Sequence, residues 1–220
     1  PVMNLILPTA KCMQLAALKL FANLEVINSE NVPPFGPVII VANHQSSADP
    51  PLITATAPRR VSFLAKRDIF SGPIVSWLLK QYGAYPLNRE GANPAAYRWA
   101  LNQLRHDKAV VIFPEGTRNP GCMRKAMPGV AQLALKSEAP IIPVGITGTE
   151  KMGSWLRVFN PTGNLRIKFG MVFSLPSIKG RPNREVLEGL TDIIMGRIAE
   201  QLPPEYRGAY SIKPRSGELP

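Results

Sequence analysis

The stretch VIIVANH, residues 38–44, combines five consecutive apolar residues with a polar end that holds one of the chain's two histidines. Such an unbroken apolar run is typical of a strand buried on both faces, as in parallel sheets covered by helices. A second run of this kind, AVVIF, covers residues 109–113. In open α/β sheets, ligands bind beyond the carboxyl ends of the strands. The polar residues after each run therefore mark a candidate functional edge.

Strand-like and helix-like segments alternate along most of the chain. The predicted strands cover residues 38–42, 61–65, 84–87, 109–113, 141–146 and 165–173. The predicted helices cover about residues 72–82, 94–106, 128–138 and 183–202. This alternation predicts an α/β fold with a mostly parallel, mixed sheet flanked by helices. The proline-rich, charged tail from Pro203 is predicted to wrap the surface or to fray.

The N-terminal residues 9–24 predict an amphipathic helix. Its polar residues share about half of a helical wheel: Lys11, Gln14, Lys19 and Asn23. Two interpretations stay open, namely a helix packed on the core and a helix lying in a membrane interface. The apolar residues 2–7 favour the membrane, so we predict a membrane-associating helical segment over residues 1–30. No run of about 20 apolar residues is present, so a spanning helix is not predicted.

The charge of the chain favours anionic partners. Its 220 residues include 26 Lys+Arg and 15 Asp+Glu, a formal net charge of +11. Phosphorylated small molecules, acidic proteins, anionic lipids and nucleic acid all fit this balance. No helix-turn-helix, zinc-finger or RNP-like signature is present, so a nucleic-acid-binding module is the less favoured alternative. Cys12 and Cys122 form no motif, which predicts neither a disulfide framework nor a metal site. His106 is predicted to be a solvated residue at a helix end.

His44 and Asp49 form a candidate pair at the end of the first apolar run. On a continuous helix they would lie about 140° apart and would not touch. Asp49 also precedes Pro50, which disfavours helical geometry at Asp49. A turn through residues 45–48 would return the carboxylate to the imidazole, fix its tautomer and leave the other ring nitrogen as a base. A purely structural polar turn is the alternative.

Ser46 and Ser47 lie within this turn and could instead be nucleophiles of a serine hydrolase. No GxSxG elbow surrounds them. Hydrogen bonds within the turn are therefore the favoured role for both hydroxyls, and a hydroxyl on the substrate is the favoured target of the base.

The segment FPEGTR, residues 113–118, follows the second apolar run. Gly116 allows close approach of a ligand to the backbone, and Thr117 can donate a hydrogen bond. Arg118 offers a planar fork suited to phosphate oxygens. Glu115 could accept from a glycerol or sugar hydroxyl, or hold an arginine. A structural turn with a Glu–Arg salt bridge is the alternative.

Two further basic residues lie at predicted strand ends. Lys66 follows the strand at 61–65, and Arg89 follows the strand at 84–87. Single residues of this kind are most often solvated surface, but several beside a candidate base indicate a site for an anionic group.

These blocks resemble those of the glycerolipid acyltransferase family, the 1-acyl-sn-glycerol-3-phosphate (lysophosphatidate) acyltransferases. The family's NHxSxxD block is similar to residues 43–49, and its Gly-to-Arg block to residues 83–89. Its FPEGTR block is similar to residues 113–118, and its branched-Pro-branched block to residues 142–144. The four blocks occur in the family's order, and the resemblance implies an acyltransferase domain over residues 31–220.

The resemblance implies transfer of a fatty acyl group from acyl-CoA or acyl-carrier protein to the free hydroxyl of lysophosphatidate, giving phosphatidate. It implies His44 as general base and Asp49 as the residue that orients it. Residues implied to bind the glycerol-phosphate acceptor are Arg89, Glu115, Gly116 and Arg118, with Lys66 at a position that is often basic. No metal or bound cofactor is implied, because CoA is a substrate. A peripheral or monotopic location on the cytoplasmic face of a membrane follows as an expectation.

Two residues depart from the family's pattern. Asn88 stands where many members have an acidic residue, and Asn119 follows FPEGTR where serine is common. Neither removes a proposed catalytic group, but both could alter the choice of acceptor. Glycerol 3-phosphate, other lysophospholipids and glycolipids are the alternative acceptors among relatives.

Overall fold

The computed structural model describes residues 3–87, 94–152, 157, 161–178 and 180–211. Within these ranges, six α-helices and seven strands alternate along most of the chain. The helices are α1 Met3–Phe21, α2 Asp49–Thr56, α3 Gly72–Gln81, α4 Pro94–Arg105, α5 Gly129–Ser137 and α6 Arg184–Ala199. The strands are β1 Asn23–Ile27, β2 Val38–Ala42, β3 Val61–Lys66, β4 Ala84–Leu87, β5 Ala109–Ile112, β6 Ile141–Thr147 and β7 Asn164–Phe169.

The strands form one sheet in the order β1-β7-β6-β2-β5-β3-β4. The five neighbouring strands from β6 to β4 are parallel, whereas β7 is antiparallel to β6 and β1 is parallel to β7. The predicted α/β fold with a mostly parallel, mixed sheet is therefore confirmed. Since parallel strands end at the same edge, five strand ends of this sheet share one edge.

Strand β2 lies at the centre of the sheet and is buried along its whole length. Its side chains alternate between two cores, as the strand period of two requires. Val38, Ile40 and Ala42 face the core built with α1, α2 and α3. Ile39 and Val41 face the core built with α4, α5 and α6. Helices on both faces explain why this strand is apolar throughout.

The N-terminal helix is docked on the protein body partly through its polar residues. Gln14 is fully buried: its Nε2 donates to Pro51 O at 3.1 Å, and its Oε1 accepts from the Tyr82 hydroxyl at 2.6 Å. Lys11 Nζ donates to Ala57 O at 2.8 Å, and burial lowers the pKa of this lysine. Leu18 of the same helix is buried in the core, whereas Met13, Leu20 and Phe21 are exposed.

The prediction of a helix through residue 24 is wrong at its end. Helix α1 ends at Phe21, and residues 23–27 form edge strand β1, which pairs with β7. The proposed division between residues 1–30 and 31–220 stays a prediction, but the first part contains a strand of the sheet. The predicted strand at 165–173 is also shorter, since β7 ends at Phe169 and Phe173 forms an isolated bridge with Ile141.

The expectation against helical geometry at Asp49 is wrong as well. Helix α2 begins at Asp49, and Pro50 and Pro51 occupy its first turn. Prolines are tolerated there because the first N–H groups of a helix lack intrahelical partners. The side chain of Asp49 is anchored by donors from the preceding turn and by Thr149, described below, and this anchoring outweighs the local bias of a residue before proline.

The described part of the tail wraps the surface. Two short 3-10 turns, Pro204–Tyr206 and Gly208–Tyr210, follow α6. Met123 N donates to Tyr206 O at 2.9 Å, and Ala209 N donates to Met123 O at 3.1 Å. This pairing fixes the tail against the loop that follows FPEGTR.

The predictions for His106, for the two cysteines and for spanning helices can now be compared with the structure. His106 is exposed just beyond α4, where its Nδ1 lies 2.8 Å from Asn102 O. Cys12 and Cys122 are exposed and form no disulfide. Of the helices described, none combines the length and the apolar character that crossing a membrane requires.

Candidate active site

Three loops meet at the carboxyl edge of the parallel strands. His44 lies two residues beyond β2, Glu115 three residues beyond β5, and Thr149 two residues beyond β6. Because β5 and β6 are the two neighbours of β2, the loops converge on His44 from both sides.

The His44 and Asp49 side chains are in direct contact. His44 Nδ1 lies 2.8 Å from Asp49 Oδ2, with 5% of the histidine side chain and none of the aspartate side chain exposed. The imidazole also stacks on the Phe113 ring, with 4.2 Å between ring centroids. With Nδ1–H donating to the carboxylate, Nε2 carries the free lone pair. This is the arrangement of an oriented base held in a largely dry site.

The Asp49 carboxylate receives further donors. Its Oδ2 accepts from the backbone N–H of Gln45 at 2.7 Å and of Ser46 at 2.8 Å. Its Oδ1 accepts from the Thr149 hydroxyl at 2.5 Å. Thr149 is fully buried and lies 100 residues further along the chain. Sequence reasoning missed Thr149, because a single threonine in a loop carries no local signal.

The turn after β2 is tied to β6. Asn43 Nδ2 donates to Ile146 O at 2.9 Å, and Ile146 N donates to Asn43 Oδ1 at 2.8 Å. Gln45 Nε2 also donates to Ile146 O, at 2.7 Å. Ser46 Oγ accepts from Ala48 N at 3.3 Å, which is the hydrogen bond within the turn that the sequence favoured. These contacts fix the backbone that carries His44.

Glu115 points toward the His44 loop. His44 N donates to Glu115 Oε1 at 3.0 Å, while Arg124 N at 2.8 Å and Asn119 Nδ2 at 2.5 Å donate to Glu115 Oε2. Asn119 N also donates to His44 O at 2.6 Å. Burial raises the pKa of Glu115, and these donors oppose the rise. The alternative of a Glu115–Arg118 salt bridge is not what the structure contains.

The next three residues of FPEGTR face solvent. Gly116 has φ +69°, which favours glycine; a Cβ there would lie 2.4 Å from Met127 Cε, but this is the end of a flexible, exposed side chain that can move aside. Thr117 and Arg118 are exposed. Because Arg118 directly precedes Asn119, whose N–H contacts His44 O, the backbone of Arg118 lies at the same edge of the sheet as His44.

The two other predicted basic residues lie further along the edge. Lys66 is exposed at the end of β3, which is two strands from β2. At the usual strand spacing, that is about 10 Å across the sheet. Arg89 lies outside the described residues, two positions after the end of β4 at Leu87. The structure therefore brings His44, Asp49 and the FPEGTR loop together and places Lys66 on the same edge.

The fold and the site together define a class of protein. It is an α/β protein with a buried imidazole–carboxylate pair, of the kind used in general acid–base catalysis, at the carboxyl end of its central strand. The sequence model of the family described as Acyltransferase matches residues 23–147 of the 220. The chain belongs to this family, so the predicted assignment to the acyltransferases is confirmed.

Two curated relatives carry the same description, "1-acyl-sn-glycerol-3-phosphate acyltransferase". The chain is 26% identical over 186 residues to the one from Bacillus subtilis, covering 83% of the chain and 90% of that relative. It is 32% identical over 112 residues to the one from Streptococcus pneumoniae, which covers 50% of the chain. The chain spans 41% of the length of that second relative.

A solved structure is similar over most of the chain. It is the 1-acyl-sn-glycerophosphate (LPA) acyltransferase PlsC from Thermotoga maritima, at 28% identity and a TM-score of 0.68. The similarity covers 87% of this chain and 77% of that one. This match agrees with the α/β fold described above.

Proposed function

We propose that the protein transfers a fatty acyl group from a thioester donor to the free hydroxyl of lysophosphatidate, giving phosphatidate. The observation that carries the proposal is the 2.8 Å contact between His44 Nδ1 and Asp49 Oδ2 at the end of the central strand. The similar proteins from Bacillus subtilis and Thermotoga maritima are described as acyltransferases of this type, which supports the same reaction.

His44 acts as the general base in this proposal. Its Nε2 accepts the proton of the acceptor hydroxyl as that oxygen attacks the thioester carbonyl carbon. The tetrahedral intermediate then collapses, the carbon–sulfur bond breaks, and the imidazolium returns the proton to the leaving thiolate. Asp49 keeps Nδ1 protonated and stabilises the imidazolium. General-base assistance of this kind is worth about 10²–10⁴-fold in rate.

The surroundings of the ring suit this role. Phe113 stacks on the imidazole, and the side chain is 5% exposed, so bulk water has little access to it. Exclusion of water protects a thioester from hydrolysis and strengthens the electrostatic interaction with Asp49.

We propose that the anionic acceptor is held by the basic residues along the same edge. Arg118 is exposed directly beside the His44 loop, and Lys66 lies two strands away. Gly116 and Thr117 can supply an open backbone and a hydroxyl donor, and Arg89 is assigned by its place in the sequence alone. A guanidinium is well suited to phosphate oxygens because it donates in a planar fork. Glycerol 3-phosphate, other lysophospholipids and glycolipids are the alternative acceptors.

The acyl donor is proposed to be acyl-CoA or acyl-carrier protein, acting as a substrate. The thioester is already activated, so neither a metal nor a covalent enzyme intermediate is required by this chemistry. Among the described residues, no group of three or more His, Cys, Asp or Glu side chains is placed to hold a metal ion.

The test is an acyl-transfer assay with the purified protein and one long-chain acyl-CoA against a panel of acceptors. We expect thiol release that depends on lysophosphatidate, and a loss of at least about 10²-fold in kcat for His44→Ala. His106→Ala is the matched control, since His106 is exposed and lies beyond α4, and it should leave kcat unchanged. Activity of His44→Ala at the parent rate would refute the role of the imidazole. If only a different acceptor is turned over, that molecule replaces lysophosphatidate as the proposed substrate.

We further propose that the protein binds a membrane surface through the exposed apolar side of α1. Leu20 is 77% exposed, Met13 65% and Phe21 59%, and the net charge of +11 favours anionic lipid. The proposed face is the cytoplasmic one, where acyl-CoA and acyl-carrier protein are found. Leu20→Glu should reduce co-flotation with vesicles that contain anionic phospholipid. Ile193→Glu on α6 is the matched control and should float like the parent.

A further inference from the structure

We propose that Thr149 is a positioning residue for the His44–Asp49 pair. Its hydroxyl donates to Asp49 Oδ1 at 2.5 Å, on the carboxylate oxygen opposite the one that contacts the imidazole. This inference rests on the proposed acyl transfer for its kinetic consequence, but its structural content stands on the contacts themselves.

Donors reach both oxygens of Asp49. Oδ2 receives His44 Nδ1–H and the backbone N–H groups of Gln45 and Ser46. Oδ1 receives the Thr149 hydroxyl, from a loop 100 residues further along the chain. Three donors on one oxygen fix its position but leave the plane of the carboxylate free to turn about that point. A bond to the second oxygen removes this freedom, so Thr149 sets the direction in which Oδ2 meets the imidazole.

Burial makes this bond matter. Asp49 and Thr149 are both fully inaccessible to solvent, so water cannot replace a lost donor without rearrangement. Loss of a donor to a buried carboxylate oxygen is unfavourable, and the carboxylate relieves this by turning toward another donor. Such a turn weakens the contact that orients His44.

The turn that carries Thr149 is itself held in place. Thr149 opens the 3-10 turn Thr149–Lys151, and Gly148 precedes it with φ +90°. The next residue, Glu150, accepts from the Tyr206 hydroxyl at 2.9 Å. Burial and this contact raise the pKa of Tyr206 to about 12, so its hydroxyl remains a donor at neutral pH. The C-terminal tail therefore contacts the turn that carries Thr149.

The test compares three single variants. Thr149→Val keeps the shape of the side chain and removes the hydroxyl, whereas Thr149→Ser keeps the hydroxyl. Thr191→Val in α6 is the matched control, because Thr191 is also buried and its hydroxyl donates at 2.7 Å to Leu187 O, within its own helix. All three are assayed after their folded fraction has been measured.

We expect Thr149→Val to lower kcat by about 10- to 100-fold with little change in KM for either substrate, which is the range found when partners behind a functional side chain are removed in metal sites. Thr149→Ser should recover most of kcat, and Thr191→Val should resemble the parent. Parent kcat in Thr149→Val, or an equal loss in Thr191→Val, would overturn the proposal.

A second readout does not depend on turnover. The chain has two histidines, so ¹⁵N-labelled imidazole signals can be assigned with His44→Ala and His106→Ala. The Nδ1–H of His44 should exchange slowly with water in the parent and in Thr191→Val, and at least about tenfold faster in Thr149→Val. Unchanged exchange in Thr149→Val would overturn the positioning role even if the protein acylates nothing. If the parent is inactive but Thr149→Val still exchanges faster than the parent, the positioning role stands and the proposed function fails.

Discussion

Replacing Asn119 by alanine removes one of three hydrogen bonds to the buried Glu115 carboxylate. Asn119 Nδ2 donates to Glu115 Oε2 at 2.5 Å, and both residues are 7% exposed. The other donors are the backbone N–H groups of His44 and Arg124, which the substitution leaves intact. The backbone N–H of Asn119 also keeps its bond to His44 O. The variant therefore removes the side-chain contact with Glu115 together with a longer local bond, from Asn119 Nδ2 to Thr117 O at 3.3 Å.

The expected loss of stability follows from the charge of Glu115, which accepts the hydrogen bond. A hydrogen bond to a charged group contributes about 1.5–3 kcal/mol, so we expect Asn119→Ala to lower the free energy of unfolding by about 2 kcal/mol near neutral pH. Burial raises the pKa of Glu115, and loss of a donor to its carboxylate raises it further. A carboxyl whose pKa is higher in the folded than in the unfolded protein stabilises the fold at pH values below its unfolded-state pKa. This contribution is lost as pH rises through its folded-state pKa. The loss caused by Asn119→Ala should therefore be larger at about pH 8 than at about pH 5.

Urea unfolding at both pH values measures the difference. Asn119→Asp is a second probe, because it places two carboxylates together and should be more destabilising than Asn119→Ala at the higher pH. Asn102→Ala is the matched control, since Asn102 is exposed on α4, and should change stability by less than about 0.5 kcal/mol. The reasoning is refuted if Asn119→Ala costs no more than Asn102→Ala, or if its loss is greater at the lower pH.

Three further outcomes follow from the fold. Gly83→Ala should destabilise the protein far more than Gly36→Ala in urea unfolding, because a Cβ at Gly83 would lie 2.1 Å from Val61 O, whereas none lies within 4 Å at Gly36 and both have positive φ. Ile40→Ala, at a fully buried position of β2, should lower the free energy of unfolding by about 2–5 kcal/mol in calorimetry or urea titration. Burial raises the pKa of Tyr82 to about 12, so its contribution to stability is present below its ordinary value near 10 and lost as pH rises through about 12. In Tyr82→Phe, the loss of stability at alkaline pH that comes from this hydroxyl should be absent. Its tyrosinate absorbance should rise less above about pH 11 than that of the parent.

Much of the sheet could be predicted because its central strands are buried on both faces. Strands β2 and β4 have the predicted bounds, and the ends of β3, β5 and β6 differ from the predictions by one residue. An unbroken apolar run leaves little ambiguity when turn residues border it. The contact between His44 and Asp49 could also be predicted, since both residues lie in one short polar segment.

Elements with weaker local patterns could not be predicted. Strand β1 pairs on one side only, and its residues are exposed or half-buried, so it lacks the unbroken apolar run of the central strands. Helix α2 begins where a residue precedes proline, and the donors to Asp49, from its own turn and from Thr149, hold it there. The polar residues Lys11 and Gln14 indicate a solvent face on a helical wheel, yet both bond to the backbone of residues near α2.

Contacts between loops could not be predicted either. Thr149 meets Asp49, and Asn119 N meets His44 O, only because β6 and β5 lie beside β2, and no local stretch of sequence specifies the order of the strands. A periodicity argument finds strands, and the handedness of their connections limits the topology, but the neighbours of a loop depend on the complete sheet.

The order in which the strands are made has a consequence for synthesis on the ribosome. The three loops at the carboxyl edge come from β2, β5 and β6, and the last of them ends more than a hundred residues after the first. β2 is complete about a hundred residues before β6 begins, so translation delivers these two neighbours at different times. A nascent chain stalled before Thr149 carries both members of the dyad without this donor to Asp49. The dyad therefore gains the Thr149 contact only after β6 has been made.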